Sequence, residues 1–141
     1  MEQNYSNHKQ FVPGYHYVII PLAMLLLGGS ISALIRADAS ARYSASLLVL
    51  VAFILNGILW YARVFALRAQ DRAIRAEENF RHFLLTGKPH DSRLRMGQII
   101  ALRFASDAEM PELARRAAEE KLTGKQIKEA IRQWRADRYR V

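Results

Sequence analysis

Cysteine is absent from the 141 residues, which excludes disulfides, thiol nucleophiles and cysteine-held metals. Charge is nearly absent from positions 17–62, where only Arg36, Asp38 and Arg42 occur. Positions 63–141 carry 18 Lys/Arg and 11 Asp/Glu, so +7 of the net +8 sits there. A soluble domain interleaves apolar and charged residues within each helix, and a disordered tail lacks the apolar half. The segregation excludes both. Catalytic signatures are missing as well: there is no G-x-S-x-G, no phosphate-binding glycine loop and no H-E-x-x-H. Of the four histidines, His8, His16, His82 and His90, none falls in the second apolar run. A helix pair built from the two runs therefore cannot supply bis-histidine haem ligation. His82 and His90 flank Gly87–Pro89 without the carboxylates of a zinc site, and His16 reads as an interfacial polar group. An enzyme is not expected, and no cofactor or metal is expected.

What is present is two long apolar runs. Positions 17–35 and 45–62 each have the length needed to cross a bilayer as a helix, about 17–25 residues. A cleaved signal peptide is the alternative for the first, since 37–39 and 39–41 fit an A-x-A pattern. Its 16-residue leading segment with one Lys, and its long apolar run, favour an uncleaved span. Positions 36–44 are too short to do more than join the two spans as an antiparallel hairpin. Lys/Arg counts orient it: Lys9 in the tail at 1–16 and Arg36 and Arg42 in the link, against Arg63, Arg68, Arg72, Arg75 and Arg81 just beyond the second span. Positive charge stays on the cytoplasmic side, so both termini are expected there and the link outside. Tyr15, Tyr17, Trp60 and Tyr61 would share that cytoplasmic interface, where amphipathic rings are favoured.

Within the hairpin, Gly28/Ser32 and Gly29/Ala33 form small-xxx-small pairs that let helices approach closely, with Asn56 and Gly57 as the matching surface. This packing is expected to close the hairpin on itself, with a second membrane subunit as the other option. Pro21 is expected to free a carbonyl and kink the first span.

Positions 63–86 hold good helix formers and no Pro or Gly, so the second span should continue as one helix until Gly87 and Pro89 stop it. Phe65, Ala69, Ala73, Ala76, Phe80 and Phe83 form an apolar stripe along it, suited to docking the next domain or to self-packing. Arg68, Arg72 and Arg75 lie on one face and suit anionic headgroups. Asp71/Arg75 and Glu77/Arg81 are expected as i,i+4 ion pairs. Positions 88–141 read as three short helices: about 94–104, one opened by a Ser106/Glu109 capping box with Pro111 in its first turn, and one opened by Thr123/Gln126 and running through Trp134. Asp107 and Glu109 are read as acids favouring a helix N-terminus. Such a small domain needs support from the long helix or a partner.

The expected fold is thus an all-α membrane protein: a two-helix transmembrane hairpin, the second helix extended over 63–87 into the cytoplasm, and a small basic three-helix domain at 88–141. Its charge of 13 Lys/Arg against 8 Asp/Glu is too interleaved with acids to favour nucleic acid. Arg103, Arg132, Arg135 and Tyr139 are candidate contacts for a protein partner, in a membrane complex or a homo-oligomer, while Phe104 and Trp134 read as core. The expected function is a non-enzymatic accessory or scaffold protein, the alternative a membrane-tethered module for nucleic acid or anionic lipid. Leu67-Arg68, Gln70-Asp71-Arg72, ALRFASD at 101–107, Ile127-Lys128, Ala130-Ile131, Trp134-Arg135 and Tyr139 to Val141 resemble an uncharacterised bacterial family of small two-span membrane proteins, a domain of unknown function. The residues around His16 and Pro21 share the likeness. The resemblance implies a bacterial inner-membrane setting and carries no catalytic site.

Overall fold

A computed structural model describes residues 12–137, and the described chain divides into two compact units that meet within one helix at Ala66 and Leu67. Every named element is helical, and among the described residues the one extended pairing is an isolated antiparallel bridge between Ala105 and Trp134.

The first unit opens with a π-helical turn, Gly14–Ile19, which runs into α1, Ile20–Arg36. Pro21 has no N–H to offer the carbonyl four residues earlier, and the widened turn lies immediately before it. Asp38 organises the short link: its Oδ1 accepts from Ser40 Oγ at 2.7 Å and from Ala41 N at 2.9 Å. α2 then runs from Arg42 to Thr86, 45 residues without a break. Helix contact is made at heptad-like spacing. On α1, Ala23, Leu27, Ser30 and Leu34 are half-buried or buried; on α2, Ala45, Val49, Ala52, Asn56 and Leu59 are. Asn56 Nδ2 donates to Ala23 O at 3.2 Å and to Ala52 O at 2.8 Å, and Tyr15 OH donates to Leu59 O at 2.9 Å. Asn56 is therefore the interhelical hydrogen bond expected of it. The glycines are not at this seam: Gly28, Gly29 and Ala33 are exposed, Ser32 and Gly57 are half-buried, and a Cβ on Gly28, Gly29 or Gly57 would meet nothing within 4 Å. Every face of an all-apolar helix is sticky, and small residues mark a face only where a neighbour comes close.

Both helices of this unit are long and apolar enough to cross a membrane, with mean hydropathies of 2.4 and 2.1 over their most apolar stretches. Only 6% of each stretch is buried.

The second unit holds the rest of α2 with α3, Met96–Leu102, α4, Met110–Glu119, and α5, Gly124–Ala130. Phe104, Ile99, Leu102, Met110 and Ile127 form its fully buried centre. α3 and α5 approach so closely that a Cβ on Gly124 would stand 3.0 Å from Gly97 O, which explains glycine there. The buried amide of Gln98 fastens the same corner: Nε2 donates to Ala117 O at 3.0 Å and Leu122 O at 2.8 Å, while Oε1 accepts from Arg95 N at 2.7 Å.

Helix ends follow the expected chemistry in part. Gly87 stops α2 at φ 72°, its N–H on Phe83 O at 2.7 Å, and Thr123 with Gln126 forms a reciprocal capping box. Ser106 does not cap α4. Glu109 is the N-cap residue, and its carboxylate accepts instead from Arg132 N at 3.3 Å and Gln133 N at 3.1 Å. Those bonds, with Arg135 N on Phe104 O at 2.8 Å and Ser106 N on Gln133 O at 3.1 Å, explain why α5 ends at Ala130 rather than continuing through Trp134. The chain is drawn out to lie alongside the Phe104–Ser106 segment.

Candidate interaction surfaces

α2 reaches its own domain through a polar face. Ile74 and Glu78 are buried and Arg81 is nearly so. Arg81 Nη1 donates to Glu78 Oε2 at 2.9 Å, Nε to Asp107 Oδ1 at 2.7 Å and Nη2 to the Ala105 carbonyl at 2.7 Å. Arg135 Nη1 stands 3.9 Å from the other Glu78 oxygen. One guanidinium thus satisfies a buried carboxylate and the segment between α3 and α4 at once, a task suited to its planar fork of donors. The expected pairs Asp71/Arg75 and Glu77/Arg81 do not form. Arg81 turns to Glu78 and Asp107, and Asp107 serves this contact rather than a helix terminus.

Sequence reasoning missed Glu78 and Arg81 as docking residues, and with them the docking face. Their signal was spacing alone: 71, 74, 78 and 81 repeat at helical intervals, but only Ile74 among them is apolar. The stripe that spacing and apolarity did single out lies elsewhere, with Phe65, Ala69, Ala73, Ala76, Phe80 and Phe83 all exposed.

Of the predicted contact residues, Arg103 is a structural one. It is buried, its Nε 3.0 Å from Asp137 Oδ2 and its guanidinium 4.6 Å from the Phe104 ring centroid. Arg132 and Arg135 are exposed, and Tyr139 lies outside the described residues. Phe104 is fully buried, and Trp134, half-buried, stacks on it with centroids 5.1 Å apart.

The acids of α4 neutralise that helix. Arg115 is gripped by Glu112 and Glu119, and Arg116 by Glu120, so the arginines are held above and Glu112 and Glu120 below their usual pKa ranges. Arg68, Arg72 and Arg75, exposed on α2, enter no ion pair among the described residues; nor do Arg95, Lys121 and Arg132. Arg95 and Lys121 flank a cleft of about 480 Å³ floored by Gln98 and Ala117. Arg68, Arg72 and Arg75 thus bring three cations without an ion pair to one stretch of α2, and Arg95 and Lys121 bring two to this cleft.

His90 is the remaining buried titratable group. Its ring stacks on His82 with centroids 4.3 Å apart, and neither ring nitrogen has a hydrogen-bond partner. His82 Nδ1 donates to Lys88 O at 2.7 Å. Among the described residues no cluster of three or more His, Asp or Glu could hold a metal ion. Burial above all, then the charges of His82 and Arg81, pushes His90 down to about 4. A base whose folded pKa lies below its unfolded value stabilises the fold while neutral. That stability is complete above pH ~6.5 and drains away as pH falls toward 4, a loss on the order of 2 kcal/mol. Replacing His90 with Phe keeps the stack and is expected to flatten the acid limb. Thermal melts between pH 7 and 4.5 measure it; an unchanged pH slope would refute the assignment.

The full length of this chain, residues 1–141, matches one family model. It belongs to a family of unknown function (DUF6526). No curated protein and no solved structure matches it. Family membership assigns no site, so the surfaces above stand on their geometry.

Proposed function

We propose that this protein is a non-enzymatic integral membrane scaffold or accessory subunit that presents a small basic helical domain at the cytoplasmic surface of a bacterial inner membrane. The supporting observation is the contrast between the units. The hairpin helices turn almost all of their apolar surface outward, whereas the helical domain buries its own core of large side chains. In water the exposed Leu25, Ile35 and Phe53 would be a severe aggregation liability; in a bilayer they are solvated by lipid tails. Lys/Arg placement supports termini on the cytoplasmic side, and the likeness to bacterial two-span proteins supports the membrane named. The partner in this reading is another membrane-embedded protein or a second copy, with lipid around both.

The test is native mass spectrometry of the tagged protein at its own expression level, after washing membranes with alkaline carbonate and extracting them in mild detergent. Retention in the pellet and a mass above that of one chain are expected. Release by carbonate, or a lone monomer, would overturn the reading.

The unpaired Arg68, Arg72 and Arg75 favour a second reading, anionic-lipid binding, at about 1 kcal/mol per charge near such a surface. Lipids co-purifying with the protein decide it: loss of anionic lipid on changing all three to Gln supports it, and an unchanged lipid profile removes it.

A further inference from the structure

The segment of α2 from Ala69 to Phe83 carries an apolar face that its own domain does not use. Ala69, Ala73, Ala76, Phe80 and Phe83 repeat at intervals of four, three, four and three, and all five are exposed, Phe80 at 63% and Phe83 at 51%. Ile74, Glu78 and Arg81, which do contact the domain, lie roughly 140° round the helix at 100° per residue. One side is therefore occupied while the other is open.

An open apolar face has many conceivable occupants, and the flanking charges select among them. The spacing makes Ala69, Ala76 and Phe83 the d positions of a heptad and Ala73 and Phe80 its a positions. Arg72 then occupies g and Glu77 the following e. In a parallel two-helix pair, g of one helix faces e of the other five residues on, so Arg72 of each copy meets Glu77 of its mate. The complementarity is reciprocal and arises twice. An antiparallel pair sets g against g and e against e and gains neither contact. Arg72 and Glu77 enter no ion pair within the described residues, although both lie beside charged neighbours on the same helix. Alanine at three successive core positions permits close approach, and the two phenylalanines supply bulk toward the end of the helix.

We infer that this face of α2 seats α2 of a second copy of the same chain, parallel and in register, locked by paired Arg72–Glu77 contacts. The inference rests on the scaffold reading and names its partner. A shared membrane orientation would impose the same parallel arrangement.

The experiment uses the full chain in mild detergent and in lipid nanodiscs. Because the sequence has no cysteine, a single introduced thiol reports on proximity without background. Ala73→Cys is expected to give a disulfide-linked dimer on mild oxidation. Arg75→Cys, about 160° away from Ala73, is expected to remain single. Arg72→Glu alone, or Glu77→Arg alone, turns two attractions into two repulsions and should weaken dimerisation about tenfold. The double exchange Arg72→Glu/Glu77→Arg should restore it to within about twofold. All these positions are exposed, so folding is not at stake, and helicity by circular dichroism checks it. Equal cross-linking from positions 73 and 75, or no rescue by the double exchange, would overturn the pairing. A disulfide from the Ala73→Cys variant to a chain of different mass would do the same while leaving the scaffold reading intact. Release of the protein by alkaline carbonate would strike at the scaffold reading and not at the cross-linking pattern.

Discussion

Phe104→Ala is expected to abolish the cooperative unfolding of the helical domain. Phe104 is completely buried at the centre of the unit, with the Trp134 ring stacked at 5.1 Å, the Arg103 guanidinium 4.6 Å from its centroid and Lys128 Nζ at 5.5 Å. Its carbonyl also receives Arg135 N, so the side chain sits where the extended segment after α5 is held to the segment after α3. Truncating a buried phenylalanine costs about 3–5 kcal/mol through lost burial and the cavity left behind. A domain of this size has a stability of roughly that amount. The loss is therefore expected to consume nearly all of it. Trp134 reports directly: with Trp60 changed to Phe, the fluorescence of the remaining tryptophan follows this unit alone. A sigmoidal melt in the parent and a featureless slope in Phe104→Ala is the expected pair of curves. A midpoint within a few degrees of the parent would mean that the ring stack is dispensable.

The elements that could be read from the sequence are those whose signals are local. One helix from position 45 to Thr86 follows from an apolar span continued by a run of helix formers and closed by Gly87, although α2 starts earlier, at Arg42, inside the expected link; the Thr123/Gln126 box is complete within four residues. What could not be read depends on partners distant in the chain. Ser106 and Glu109 have the spacing of a cap, but Glu109 is claimed by the backbone at 132 and 133, more than twenty residues away. α5 stops short because those N–H groups, and that of Arg135, are worth more paired with Glu109 and Phe104 than left at a frayed helix end. The hairpin seam was hidden for a different reason. With leucine, isoleucine and alanine all round, only the small-residue spacing of Gly28, Gly29, Ser32 and Ala33 offered a mark, and nothing in the sequence set Ala23, Leu27 and Ser30 apart as the packed side. The docking face of α2 was hidden by its polarity, since apolar patterning finds oily faces and this one is built from Glu78 and Arg81. Among the predicted contacts, Arg103 looked like a surface residue because nothing nearby in sequence reveals that Asp137 and the face of Phe104 receive it.

That polarity makes the contact brittle, and the second large effect follows from it. Arg81→Ala is expected to weaken the attachment of α2 to its domain by about 3 kcal/mol. The side chain of Glu78 is only 9% exposed, and Arg81 at 2.9 Å is its nearest cation, with Arg135 a full ångström further off. Removing the guanidinium leaves a carboxylate desolvated with a distant partner and strips the Ala105 carbonyl of its 2.7 Å donor. The cost is that of the group left behind rather than of the ion pair itself, so neutralising the survivor should give part of it back. Glu78→Gln added to Arg81→Ala is expected to recover about half, and the cycle through the four proteins isolates the coupling. Arg81→Lys keeps the charge but loses the fork, and one ammonium cannot reach Glu78, Ala105 and Asp107 together. It should fall nearer to alanine than to arginine. Amide hydrogen exchange over residues 74–86 and 104–108 reads the attachment, because both stretches should open together in Arg81→Ala while the α3–α5 core stays protected. If their exchange matches the parent, the buried carboxylate is satisfied by Arg135 alone, and the Arg81 contacts contribute nothing to the attachment.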